Sequence, residues 1–238
     1  MMVVEGSVTS YDAGEVWHLL DQNYEMPITL VSSDDVNART LQNYNTVVLV
    51  NGARPNITAL KTWTEQGGIL ITFKGATSWA INNGLAKANF KSNKQMKNKG
   101  AQRKYSNMSN ERGAQFVGGA IFETQLDLSH PLTYGYHNES LPIFKRGTLA
   151  LDYSNNPYAQ PLVYKNNPLL SGYISPDNHR YMGNSAAAII SGAGRGRVIS
   201  FVDNTNFRGF WYGTHKLFAN AIFFGNTIES NTVATSKP

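Results

Sequence analysis

The chain has 238 residues, of which 41% are hydrophobic, 11% aromatic and 16% charged, with a formal net charge of +5 and no cysteine. That is enough apolar material for one large domain, or for one domain with a sizeable insertion. The missing cysteines exclude disulfides, thiolate metal sites and a cysteine nucleophile, and no apolar run approaches the ~20 residues of a membrane-spanning helix.

Val3–Val4 reads as a strand with no signal peptide ahead of it, so the sequence is expected to be a piece excised from a longer chain. Asp12 and Glu15, three apart, form a capping-box-like pair at the mouth of a helix. Ala13, Val16, Trp17, Leu20 and Tyr24 recur at helical spacing and are expected to be its buried face. Pro27 ends that helix, and Ile28–Val31 follows as a second strand. No clear helix precedes the next strand, Thr46–Val50, whose continuous apolar run marks burial on both faces. Ile57, Leu60 and Trp63 line a helix stopped by Gly67-Gly68. Ile69–Phe73 is another two-sided strand, and Gly75–Ala80 turns straight into a helix. This alternation predicts a doubly wound, flavodoxin-like α/β sheet.

From about Ala88 to Gly183 the rhythm breaks, and six prolines punctuate the stretch from Pro131 to Pro176. This reads as an insertion of loops and short antiparallel strands, with candidates at Phe116–Leu126, Thr148–Leu151 and Leu162–Tyr164. Seven basic residues between Lys87 and Lys104, with no acid among them, could attract nucleic acid or anionic glycans. No aromatic ladder accompanies them, so a solvated, mobile and dispensable loop is the preferred reading and nucleic acid is not expected as a partner. Ala186–Ile190 and Arg197–Val202 are joined by too few residues for a crossover and should pair antiparallel. Leu217, Phe218, Ala221, Ile222 and Phe224 make a closing helix. The expected organisation is a single domain over 1–228, with the insertion at about 88–183 and a polar, disordered tail over 229–238.

Ligands of an open α/β sheet gather at the carboxyl ends of its strands. After Phe73 the chain makes a sharp elbow at Lys74-Gly75, the kind of turn on which hydrolases place a nucleophile. No G-x-S-x-G motif occurs, and a tight turn needing glycine is the plainer explanation. After Val202 come Asp203 and Arg208, expected to pair at least in part, and His215 opens the last helix nearby. Lys74, Asp203, Arg208 and His215 are therefore grouped as the candidate ligand cleft. His18 and Asp21 share helical spacing but make only a pair where catalytic zinc needs three ligands. His130 is expected to cap or pack a turn. Two rival readings stand beside a binding cleft. One is a cryptic hydrolase in which Thr77 or Ser78 acts with His215 and Asp203. The other is a sugar-binding module using Trp79, Trp211, Tyr212 and Tyr181.

Several segments together carry a resemblance: Ser10-Tyr-Asp-Ala-Gly-Glu-Val-Trp-His-Leu-Leu-Asp21, the strand after Gly67-Gly68, Asp127-Leu-Ser-His-Pro-Leu132, and Gly194-Arg-Gly-Arg-Val-Ile-Ser-Phe-Val-Asp203 with Phe207-Arg208. Over nearly the whole length the chain resembles the C-terminal domain of large Bacteroidetes-type zinc carboxypeptidases of the carboxypeptidase A/T superfamily. That domain is similar in fold to class I glutamine amidotransferases. The resemblance implies an accessory role in a secreted or periplasmic enzyme, partnered by the peptidase domain of the same chain and by peptide or cell-wall material. Such peptidases carry an H-x-x-E zinc pair, whereas none of the five histidines here has Glu at the third following position. Zinc is thus expected in a peptidase domain outside this sequence, with no cofactor in this chain. Amidotransferases of this fold use an elbow cysteine, which is also lacking. The fold carries over and the catalytic residues do not, so no enzyme activity is expected.

Overall fold

The computed structural model describes residues 1–92 and 102–235. Among the described residues nine strands form one sheet: β1 (Met2–Val3), β2 (Leu30–Val31), β3 (Thr46–Leu49), β4 (Ile69–Phe73), β5 (Ala120–Leu126), β6 (Ser140–Lys145), β7 (Leu162–Gly172), β8 (Ala186–Ala193) and β9 (Gly196–Phe201). Their spatial order is β2-β1-β3-β4-β9-β8-β7-β5-β6. The first five in that order are parallel, and the rest of the sheet continues antiparallel. The parallel half follows the order of a doubly wound flavodoxin-like sheet, as the sequence predicts. Its central strands are largely apolar because helices cover both faces. All five residues of β4 are buried, and so are all six of β9.

The helices are α1 (Ser10–Trp17), α2 (Ala38–Leu41), α3 (Ile57–Glu65), α4 (Gly75–Asn82), α5 (Met108–Ala114), α6 (Pro176–Met182) and α7 (Tyr212–Phe224). α1 winds on as a π-helical stretch over His18–Asn23, which buries Leu19 and Leu20 and leaves Trp17 and Tyr24 partly exposed. The β2–β3 connection, where no clear helix is predicted, holds only the single turn α2. One core lies under each face. Phe73, Phe201 and Phe218 pack on one side, with the Phe73 and Phe201 rings stacked at 5.2 Å, while Val3, Leu49, Leu60 and Val198 anchor the other.

The insertion differs from a detached excursion. Its strands β5, β6 and β7 extend the central sheet through β8, and β7 runs from Leu162 through Pro168 to Gly172 with irregular register against β5. Thr148–Leu151 forms no strand beyond isolated bridges at Leu151. Residues 93–101 of the basic segment lie outside the described residues. At its near end Lys91 is anchored, its Nζ donating to the Gly183 carbonyl at 2.6 Å, so the mobile, dispensable segment cannot include Lys91.

The tail is also corrected. Val233 and Ala234 are 2% and 1% exposed, and the Ala234 N–H donates to the Ile190 carbonyl at 2.8 Å beside β8. Two small apolar residues suffice to dock an otherwise polar segment. Residues 236–238 lie outside the described ones.

Candidate functional site

The carboxyl ends of β1, β3, β4 and β9 meet along one rim of the sheet, since Val3 aligns with Leu49 and Phe73 with Phe201. The elbow after β4 is the strained point of that rim. Lys74 has φ 53° and ψ −117°, a region that side chains rarely occupy. Gly75 must follow it without a Cβ, because one built there would lie 2.5 Å from Asn51 Oδ1. The Gly75 N–H donates to that oxygen at 3.0 Å, and Asn51 Nδ2 donates to Thr9 Oγ1 at 2.8 Å.

Lys74 Nζ donates to both oxygens of Asp12, at 3.1 and 3.2 Å. Asn204 Nδ2 bridges the acids of α1, donating to Asp12 Oδ1 at 3.0 Å and Glu15 Oε2 at 2.6 Å. Glu15 Oε1 accepts the Arg208 N–H at 2.8 Å. Asp12 and Glu15 are therefore not a capping box. Thr9 caps α1 without a side-chain bond, and both carboxylates face the rim. Burial raises the Glu15 carboxyl above its ordinary value; the Arg208 amide opposes this and the Asp12 charge adds to it.

Asp203 does not pair with Arg208. It is buried against Lys145, whose Nζ lies 3.1 Å from Asp203 Oδ2, and Lys145 itself has no exposed side-chain surface. The Tyr164 hydroxyl donates to the same oxygen at 2.6 Å, and the Arg146 N–H donates to Oδ1 at 3.2 Å. Burial, and then the Asp203 charge, push the Tyr164 phenol well above its ordinary value, so it remains a donor.

Two adjoining hollows open over these groups. Lys74 and Asp203 line one of ≈ 340 Å³. Arg208 lines a larger one of ≈ 1100 Å³, and Glu15, Arg146, Phe144 and Phe207 belong to both. The cleft thus unites three of the four expected residues across two connected hollows. His215 lines neither. It is buried within α7, its Nε2 finds no partner among the described residues, and burial followed by the charge of His18 lowers its imidazole. The expected hydrolase geometry does not assemble, because Thr77 Oγ1 is buried and donates to the Phe201 carbonyl at 2.7 Å. Among the described residues no hydrogen bond links His215 to Thr77 or Ser78, and no three of His, Cys, Asp and Glu cluster as metal ligands. Of the four aromatics of the sugar-binding reading, Trp79 packs on the core, Trp211 and Tyr181 donate to backbone carbonyls, and only Tyr212 stands exposed.

The residues that sequence reasoning missed are Asp12, Glu15, Asn51, Lys145, Arg146, Tyr164 and Asn204. A local signal existed for Asn204 alone, beside Asp203 at the end of β9.

No known family profile matches the chain, and no curated protein sequence matches it. Solved structures do. PurLQS from Thermotoga maritima aligns over 94% of this chain and 96% of its own, at 14% identity and a TM-score of 0.60. A putative ThuA-like protein from Parabacteroides merdae aligns over 100% and 91%, at 12% identity and 0.55. A putative GMP synthase protein from Thermoplasma acidophilum aligns over 95% and 94%, at 9% identity and 0.50. At such identities the likeness is one of fold. The chain has the class I glutamine-amidotransferase-like α/β fold.

Proposed function

We propose that this chain is a non-catalytic, ligand-binding domain that serves as an accessory to a larger secreted or periplasmic zinc metallocarboxypeptidase. The observation that carries the non-catalytic part is the occupied elbow. The strained position of the fold holds Lys74, whose ammonium is paired with both oxygens of Asp12. An ammonium so engaged offers no lone pair for attack. The next amide, Gly75 N–H, stands where an oxyanion donor is wanted, but it is already engaged by Asn51 Oδ1. A hydrophobic and polar cleft nevertheless remains open above, as a binding role requires.

The carboxypeptidase association is supported by the sequence segments that resemble such accessory domains. Two measurements test the proposal. Purified protein should show no glutaminase or carboxypeptidase turnover; activity abolished by Lys74→Ala or Asp12→Asn would overturn the non-catalytic reading. The full reading frame should carry an upstream domain with an H-x-x-E zinc pair, and a frame without one would remove the parent assignment.

A further inference from the structure

The larger hollow has a composition of its own. One wall is the stack of Phe144 on Phe207, with ring centroids 3.4 Å apart and planes inclined by 8°. Gly118 and Gly119 complete that side without side chains, and a Cβ at Gly119 would press within 3.1 Å of the Phe144 ring. The result is a wall in which an aromatic stack meets bare backbone. Two arginines, Arg146 and Arg208, also line the hollow, and both are exposed. Neither has a carboxylate partner among the described residues, although five ion pairs are formed elsewhere in them.

The balance of charge narrows what would fit. Lys74 is neutralised by Asp12, and Lys145 by Asp203. With the His18 imidazole, which also lines the hollow, counted as neutral, what remains facing it is Arg146 and Arg208 against the single carboxylate of Glu15, an excess of one positive charge. A monovalent anion balances that excess. A dianion would overfill it and would stand beside Glu15. Guanidinium forks match planar carboxylates by paired hydrogen bonds and lie well against aromatic faces. Arg208 already does the latter, with Cζ 5.5 Å from the Phe207 ring centroid. Its backbone is held at φ 52° while its N–H is fixed by Glu15. Such a left-handed non-glycine residue persists only where its surroundings hold it, and it is often found where a ligand is gripped.

We infer that this cleft binds a monovalent carboxylate carried on a flat or aromatic body, with Arg146 and Arg208 gripping the carboxylate and the Phe144–Phe207 wall taking the body. The inference rests on the binding role proposed above and names the ligand class for it.

Isothermal titration of the whole chain at low salt tests this with four probes. N-acetylphenylalanine carries both features, N-acetylphenylalaninamide lacks the charge, acetate lacks the ring, and phenyl phosphate replaces the carboxylate with a dianion. N-acetylphenylalanine should bind, the amide and acetate at least about tenfold more weakly, and phenyl phosphate more weakly than the carboxylate. Arg146→Gln and Arg208→Gln should each weaken binding about tenfold or more with the melting temperature kept, and added salt should weaken it further. Equal binding of the amide, tighter binding of phenyl phosphate, undiminished binding by the double variant, or no binding of N-acetylphenylalanine at millimolar concentration would each overturn the inference. Chromatography of the recovered probe separates the two proposals. Unbound and intact probe defeats only the ligand class, whereas hydrolysis to acetate and phenylalanine defeats the non-catalytic reading.

Discussion

Lys145 Nζ and Asp203 Oδ2 lie 3.1 Å apart beneath the cleft, with the lysine wholly withdrawn from solvent. Taking either charge out of water is costly, and the pair is tolerable because each partner also finds hydrogen bonds. The lysine donates to the Leu149 carbonyl, and the aspartate accepts from Tyr164 and the Arg146 amide. Removing one member strands the other. Asp203→Ala should therefore cost about 3–5 kcal/mol in urea unfolding, while Arg208→Ala, which breaks no ion pair, should cost under about 0.5 kcal/mol. A loss below about 1 kcal/mol for Asp203→Ala would mean that the pair does not hold the loop.

The elbow offers a test of strain. Lys74→Ala and Lys74→Gly remove the same ion pair, so their difference isolates the backbone. Glycine adopts φ 53° and ψ −117° freely and alanine does not. The glycine variant should be the more stable by about 1–3 kcal/mol. Equal stability would show that the elbow relaxes when the lysine is cut back.

His130 supplies a pH signature. Its Nδ1 accepts the Leu132 N–H at 3.0 Å, and burial lowers its imidazole to about 4, with Asp127 opposing. The unfolded chain takes up a proton near pH 6.5, while the folded chain does not until about pH 4. Stability should therefore fall as pH drops through that window, by on the order of 3 kcal/mol from this residue. Glu15, with its raised carboxyl, acts in the opposite sense. The comparison that counts is with His130→Asn, which keeps an acceptor for the Leu132 amide but does not titrate. From pH 7 to 4 the unfolding free energy of the wild type should fall relative to that of the variant by on the order of 3 kcal/mol. Parallel curves would refute the buried neutral imidazole.

The docked tail predicts an effect of truncation. Ending the chain at Ser230 removes Val233, Ala234 and their contacts with β8. Burial of a valine contributes about 1.5–3 kcal/mol, and the melting temperature should drop by roughly 2–4 °C for each kcal/mol lost. An unchanged melting temperature would return the segment to the status of a loose end.

The parallel half of the sheet was legible because burial on both faces leaves a continuous apolar run, and Ile69–Phe73 coincides with β4 residue for residue. The same signal identified β8 and β9 and, through their short connection, their antiparallel pairing. Asn166-Asn-Pro168 has the composition of a break, yet near Pro168 the register of β7 against β5 shifts and the strand continues. The site was harder to read. Asp12 and Glu15 have the spacing of a capping pair, and nothing local reveals that their partners sit 62 and 192 positions away at Lys74 and Asn204. Lys145 and Tyr164 were invisible for the same reason, since only the sheet brings the inserted strands beneath Asp203. His130 stands where the sequence favours a cap or a packed turn, and its Nδ1 does receive the Leu132 amide.

One detail of the inserted strands bears on how the molecule meets its own kind. The sheet ends on β6, and in the middle of that strand Pro142 has no N–H to give, while its carbonyl already accepts the Trp211 indole at 3.1 Å. At the opposite margin β2 is two residues long. A strand from another chain would find too little backbone to read on one side and an interrupted script on the other. Growth of the sheet from molecule to molecule, the first step toward fibrous aggregates, is thereby discouraged at both margins by unrelated means.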